Sequence, residues 1–287
     1  MNALQLRPER LVAEGFSFLE GPRWRDGRLY CSDMGAGRVV GVDPATGAAE
    51  TVALVPEGPS GLGWLPDGRL LVVSMRDRRL LRQERDGRLA LHADLSSLVD
   101  HWCNDMVVDD AGRAYVGNFG FDMLAGEPQK PTCLVAVEPD GRARVVADGL
   151  VFPNGAAITQ DRRRLVLAET FAHRLSAFEI RPDGSLSPGR LFADLVDGSA
   201  DGIAVDAEDA VWVACFGESE FRRVHEGGRV SAVVPVPGEH AVACALGGDD
   251  RRTLFLLCAR GIEKLMQGGA SAWIRSLRVE VPGAGIP

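Results

Sequence analysis

A short phrase recurs six times along this chain. It reads Glu20-Gly-Pro-Arg-Trp, Ser60-Gly-Leu-Gly-Trp, Asn104-Asp-Met-Val-Val, Asn154-Gly-Ala-Ala-Ile and Asp201-Gly-Ile-Ala-Val, with a degenerate sixth copy, Ala-Val-Ala-Cys-Ala-Leu, from Ala241. A turn signal and a β-rich run follow each copy. Aligned on Arg28, Arg69, Arg113, Arg164, Ala210 and Arg252, the runs are spaced by 41, 44, 51, 46 and 42 residues. A repeat of that size, with strands joined by Asp-Gly turns, marks a propeller blade.

A second hairpin follows in each unit, beginning for example at Arg38, Leu134, Arg174 and Phe221. Apolar and polar residues alternate in several of these runs, as in half-exposed strands, whereas the first strand of each unit is more uniformly apolar. Two hairpins make four strands. The expectation is therefore an all-β fold, a six-bladed β-propeller with four antiparallel strands per blade, forming one domain over residues 1–287. A sandwich or a two-domain β protein would not need six near-equal units.

Radial packing would bring the six first positions to one mouth of a central channel. Glycine follows in four copies (Gly21, Gly61, Gly155, Gly202), where the lack of a Cβ lets backbones crowd the axis. The polar residues before them are harder to explain as packing, because a carboxylate near a narrow axis is costly unless paired or bound to a cation. Glu20, Asn104, Asn154 and Asp201 offer oxygen donors without His or Cys, a set suited to Ca²⁺, Mg²⁺ or Mn²⁺, with Zn²⁺ less favoured. Satisfaction of backbone groups at strand starts is the alternative role for these side chains.

Composition narrows the function classes. With 32 Lys and Arg against 40 Asp and Glu, the net charge is −8, which disfavours a nucleic-acid partner. Residues 1–14 lack an apolar leader and no run of about 18 apolar residues exists, so neither secretion nor a membrane partner is expected and the cytoplasm is the expected location. The six cysteines (31, 103, 133, 215, 244, 258) form no CxxC pair and read as buried free thiols. No Gly-x-Ser-x-Gly elbow is present.

With these motifs in order, the chain resembles the senescence marker protein / gluconolactonase / luciferin-regenerating enzyme-like family over nearly its whole length. The resemblance is carried by Glu20-Gly-Pro, by Asn104-Asp with Asp109 and Gly112-Arg113 behind it, by Phe152-Pro-Asn154-Gly, and by Ala200-Asp201-Gly-Ile-Ala-Val-Asp206. It implies one divalent metal in the channel, Ca²⁺ foremost, held by Glu20, Asn154 and Asp201. It implies Asn104 beside the metal in contact with substrate, Asp201 as the catalytic proton carrier, and hydrolysis of a small-molecule lactone.

One departure matters. Sugar-lactone members of the family tend to carry Arg two residues before the Asn of the Asn-Asp pair; here that residue is Trp102. A second substrate-contacting acidic position of those enzymes corresponds loosely to Asp122. Predicted mouth loops carry Trp102, Phe119, Phe121, Met123, Phe152, Phe171, Phe216 and Phe221, about half of them expected to tuck inward. Trp102, Phe119, Phe121, Asp122 and Phe171 are thus the expected substrate contacts with Asn104, and the substrate is expected to be less polar than a simple sugar lactone. Phosphotriester hydrolysis or non-hydrolytic ring chemistry at the same metal, and a non-catalytic binding module, are the competing readings.

Overall fold

The computed structural model describes residues 3–262 and 271–285. The ends of the expected 1–287 domain, and residues 263–270, lie outside that description. Six antiparallel sheets are arranged as the blades of a propeller. Their innermost strands are Leu19–Arg25, Pro59–Trp64, Cys103–Val108, Pro153–Ile158, Ala200–Val205 and His240–Gly247. Each packs against the innermost strand of the next blade, and the sixth packs against the first, which closes the ring.

Local sequence sets these hairpins. In the Asp67-Gly68-Arg69 turn, Asp67 Oδ1 accepts from the Arg69 backbone N–H at 3.1 Å, and Gly68 takes φ +86°. The side chain mimics a backbone turn while glycine supplies the left-handed residue at no steric cost. The same carboxylate-to-backbone bond recurs at Asp86–Arg88 and Asp140–Arg142. Burial follows the expected gradient: Cys103–Val108 is buried throughout, whereas Ala143–Leu150 at the blade's outer edge is largely exposed or half-buried.

Six apolar clusters fill the interfaces between neighbouring blades. A blade alone exposes two apolar faces, so closing the circle is what buries the last of them. The N-terminus performs that closure. Strand Arg10–Phe16 pairs with Ser271–Arg278 as the outermost strand of blade six, with Val12, Ala13 and Phe16 buried. A further short strand, Leu4–Gln5, runs parallel to Val230–Pro235 and gives blade five a fifth strand. The repeat begins only at the first phrase, so neither addition was legible from it.

All six cysteines are free and buried. Among the described residues no helix is long and apolar enough to cross a membrane.

Candidate metal centre in the channel

Each innermost strand breaks register where the phrase begins. The shift falls between Glu20 and Arg23, Pro59 and Leu62, Cys103 and Met106, Pro153 and Ala156, Ala200 and Ile203, and Ala241 and Ala243. The repeated phrase is thus a repeated β-bulge, a device that re-aims side chains at sites. The register corrects one assignment: the sixth ring residue is Val242, one position after the Ala241 expected from sequence. Apolar Val242 leaves the ring without an oxygen donor on that blade.

The glycines are explained by close approach. A Cβ on Gly21 would lie 2.7 Å from the Ser60 carbonyl, and one on Gly155 would lie 2.5 Å from that of Asp201. Gly61 and Gly202 are equally crowded, by Met106 N and Ala243 Cβ. Each blade therefore seats the next one's bulge. On blade three this position holds Asp105, and on blade six Ala243.

Glu20, Ser60, Asn104, Asn154 and Asp201 are all buried. The amides are fixed from behind. Asn154 Nδ2 donates to Thr170 Oγ1 at 3.1 Å, and Asn104 Nδ2 donates to the Pro153 carbonyl at 3.5 Å. Buried atoms left without a partner include Asn154 Oδ1, Asp201 Oδ1 and Ser60 Oγ, so unsatisfied oxygens cluster on the ring, where native interiors normally leave few.

The other buried carboxylates show how unusual two of these are. Asp33 pairs with Arg38 at 3.1 Å, Asp105 with Arg23 at 3.0 Å, Glu169 with Arg174 at 2.8 Å, Asp206 with Arg223 at 2.7 Å and Glu239 with Arg275 at 2.6 Å. Among the described residues, Glu20 and Asp201 are the buried carboxylates without a cationic partner. Burial raises Glu20 well above the usual carboxylate range, and the charges of Asp201 and Asp105 raise it further. Burial pushes Asp201 up to about 8, against the Asn154 amide that opposes the shift. Both carboxylates can stay ionised together only if positive charge joins them.

The donor set therefore fits a hard divalent cation: two carboxylates without counter-charge, and a buried amide oxygen on the same ring that has no protein partner. No three His, Cys, Asp or Glu side chains gather into a metal cluster among the described residues, so any ion here relies on amide or hydroxyl oxygens beside Glu20 and Asp201.

Arg23 and Asp105 escaped the sequence reading. Arg23 reaches past blade two to blade three, where it meets Asp105 and donates to the Met106 carbonyl. The signal was available: Asn104-Asp105 is the one clear departure from polar-then-small among the first five copies. Thr170, which orients Asn154, lies outside the phrase altogether.

Of the eight residues expected on the rim, Phe119, Phe121, Phe152 and Phe221 are buried, in line with the half expected to tuck inward. Phe119, Phe121 and Phe152 are buried together in the cluster between blades two and three, with Trp102 and Phe171 half-buried against it. Phe119 and Phe152 centroids are 4.5 Å apart, and Phe152 meets Phe171 at 4.9 Å. Phe221, expected on the rim, is instead fully buried on strand Glu220–Val224 in the core between blades five and six, because alternation on that strand turns it inward. Asp122 lies at the start of the loop after Asn118, half-exposed; its Oδ1 caps Ala125 N at 2.9 Å and its Oδ2 lies 3.7 Å from His101 Nε2. His101 stacks on Trp102 at 5.4 Å. A groove of about 570 Å³ elsewhere, lined by Val146, Arg174, Phe178 and Leu191, contains none of the ring residues.

The fold and the ring define a class of propeller, and sequence comparison names it. Residues 18–260 match the SMP-30/Gluconolactonase/LRE-like region. The chain belongs to that family. It is 29% identical over 280 residues to a 6-deoxy-6-sulfogluconolactonase of Pseudomonas putida, covering 93% of each chain. It is also 29% identical over 261 residues to a pentonolactonase of Haloferax volcanii, covering 88% of this chain and 85% of that protein. Among solved structures, a calcium-binding protein, regucalcin, from Agrobacterium tumefaciens superposes with a TM-score of 0.83 at 24% identity, covering 100% of this chain and 99% of that one. A luciferin-regenerating enzyme superposes at 0.81 and 18% identity, covering 94% of each. At these identities the structural likeness speaks for the fold.

Proposed function

We propose that this protein is a divalent-metal-dependent hydrolase that opens a lactone. The observation that carries the reading is the pair of buried carboxylates, Glu20 and Asp201, left without an arginine on the ring while the other buried carboxylates have one. Relatives named as lactonases support the reaction class, and a neighbour described as calcium-binding supports Ca²⁺ as the ion.

Glu20, Asn154 and Asp201 would hold the ion, with Asn154 Oδ1 presented by the Thr170 lock. When bound, a divalent cation supplies Lewis-acid polarisation of a carbonyl and charge stabilisation for the oxyanion. Asn104 stands on the adjacent blade to contact substrate. Asp201 takes the proton of the attacking water and returns it to the ring oxygen as the C–O bond breaks, so that water is added across the ester. Trp102 and Phe171 give the mouth its half-exposed apolar surface, with Phe119 and Phe121 packed behind them and Asp122 at the loop start. The reading is a substrate less polar than a simple sugar lactone, since Trp offers a flat face and one donor where Arg would offer five. A cytoplasmic setting, which keeps six buried thiols reduced, belongs to the same proposal.

The test is turnover by pH-stat over aliphatic, aryl and sugar lactones, with an organophosphate as control, before and after chelation. Metal-dependent opening of lactones, strongest for the less polar ones, is expected. Turnover of the organophosphate alone would move the assignment to phosphotriesters, and no turnover with intact metal binding would favour a binding module.

A further inference from the structure

Below the ring, the side chain of Arg23 crosses the channel. It begins on the innermost strand of blade one and ends on blade three, donating to Asp105 Oδ1 at 3.0 Å and to the Met106 carbonyl. A third bond goes to its own neighbour, the Pro22 carbonyl, at 2.9 Å. Both partners are almost wholly buried, with side-chain exposures of 6% and 4%. Such a span needs room. By register, the positions equivalent to Arg23 on the other innermost strands are Gly63, Val107, Ala157, Ala204 and Ala245, none of them long. Under this bridge lies a cavity of about 40 Å³, lined by Arg23, Val107, Ala157, Ala204 and the C-terminal Gly283–Gly285 segment. That segment is tied down by Ala284 N donating to the Val205 carbonyl at 3.1 Å.

The charges at this level can be counted. Glu20, Asp105 and Asp201 bring three negative charges to one water-poor channel, and Arg23 brings one positive charge. A fixed guanidinium here is costly to bury by itself, and its partner equally so. Together they leave a net charge of −2 on the ring above, the amount a divalent cation cancels.

We propose that Arg23 is a positioning residue that acts as the built-in counter-charge of the metal ring: it neutralises Asp105 so that Glu20 and Asp201 present two charges and select a divalent ion. The inference rests on the metal reading above and adds to it the residue that sets the charge of the site. Removing either member of the bridge changes the ring by one charge, in opposite senses.

The experiment is isothermal titration calorimetry of chelator-stripped full-length protein with Ca²⁺ and with La³⁺, for wild type, Arg23→Met, Asp105→Asn and the double variant, with melting of each metal-free protein as a fold check. Asp105→Asn leaves an unopposed guanidinium and is expected to weaken Ca²⁺ by about tenfold or more, the scale for a unit charge on the order of 10 Å away at an effective dielectric near 20. Arg23→Met adds one net negative charge and is expected to shift preference toward La³⁺ by about tenfold or more, by the same reasoning. The double variant removes both charges and is expected to return Ca²⁺ affinity close to wild type. Arg23→Lys keeps the charge and should keep the preference for Ca²⁺. Equal losses in both single variants that the double variant does not recover would make the bridge a mere structural tie and overturn the proposal. Absence of Ca²⁺ binding by wild type would overturn the metal reading itself, and this inference with it.

Discussion

Asn154 Nδ2 donates to Thr170 Oγ1 at 3.1 Å, and the Thr170 hydroxyl in turn donates to the Ala200 carbonyl at 2.7 Å. Because the hydroxyl hydrogen is committed to Ala200, Thr170 can only accept from Asn154. The amide is thereby oriented with Nδ2 toward Thr170, and its Oδ1 is left buried without a protein partner. The same threonine ties blade four to the strand that carries Asp201. Replacing Thr170 with Val keeps the shape and removes the lock. Divalent affinity is expected to fall about tenfold, while stability falls by only about 1 kcal/mol, the usual net worth of one hydrogen bond. Calorimetry and thermal melts of one preparation measure both.

Gly61 is a packing requirement before it is anything else. A Cβ there would press into Met106 N and the Asp105 carbonyl carbon, both backbone atoms. Gly61→Ala is expected to cost about 1–3 kcal/mol, the range for overpacking, and to displace the bulge bearing Asn104. Chemical denaturation gives the first quantity. Lowered metal affinity in the folded fraction gives the second.

The number and order of the blades were legible because a turn chemistry repeats: Asp-Gly-Arg followed by an apolar run reports a hairpin wherever it stands. The ring was legible for the same reason at Glu20, Asn154 and Asp201, where a polar residue precedes glycine. Blade six blurred the pattern. There the ring residue is Val242, not Ala241, since neither a polar side chain nor glycine marks the bulge. The Arg23–Asp105 bridge was hidden because 82 residues separate its ends, and only radial closure brings them together. Phe221 was misplaced for a local reason: a strand begins one residue earlier, and its alternation rather than the preceding loop decides where the ring points. The mouth aromatics, grouped by loop in the sequence, turn out to pack mainly on one another.

Closure of the ring by the N-terminal strand should dominate stability. Phe16 is buried in the cluster between blades six and one. Phe16→Ala is expected to cost about 3 kcal/mol or more, as for other buried phenylalanines, although it lies far from the channel. Metal affinity of the remaining folded protein should be unchanged, which melts and titration together would show.

Trp102 and the neighbouring Arg76, whose guanidinium lies 5.6 Å from the indole centroid, define one side of the mouth. Trp102→Arg replaces a flat apolar face with five donors and sets two guanidinium groups side by side. We expect kcat/KM to rise for polyhydroxylated lactones relative to aliphatic ones, by about tenfold in the ratio, the scale of a few hydrogen bonds gained or lost. Steady-state rates on matched substrate pairs measure it.

The central claim is that Glu20 and Asp201 lack an arginine because a cation completes them. The most direct measurement is calorimetric titration of chelator-stripped protein with Ca²⁺, wild type beside Asp201→Ala and Glu20→Gln. The account predicts one equivalent bound by wild type, with a rise in melting temperature, and loss of both in either variant. Wild-type protein that binds no divalent ion, or variants that bind it as well as wild type, would contradict it.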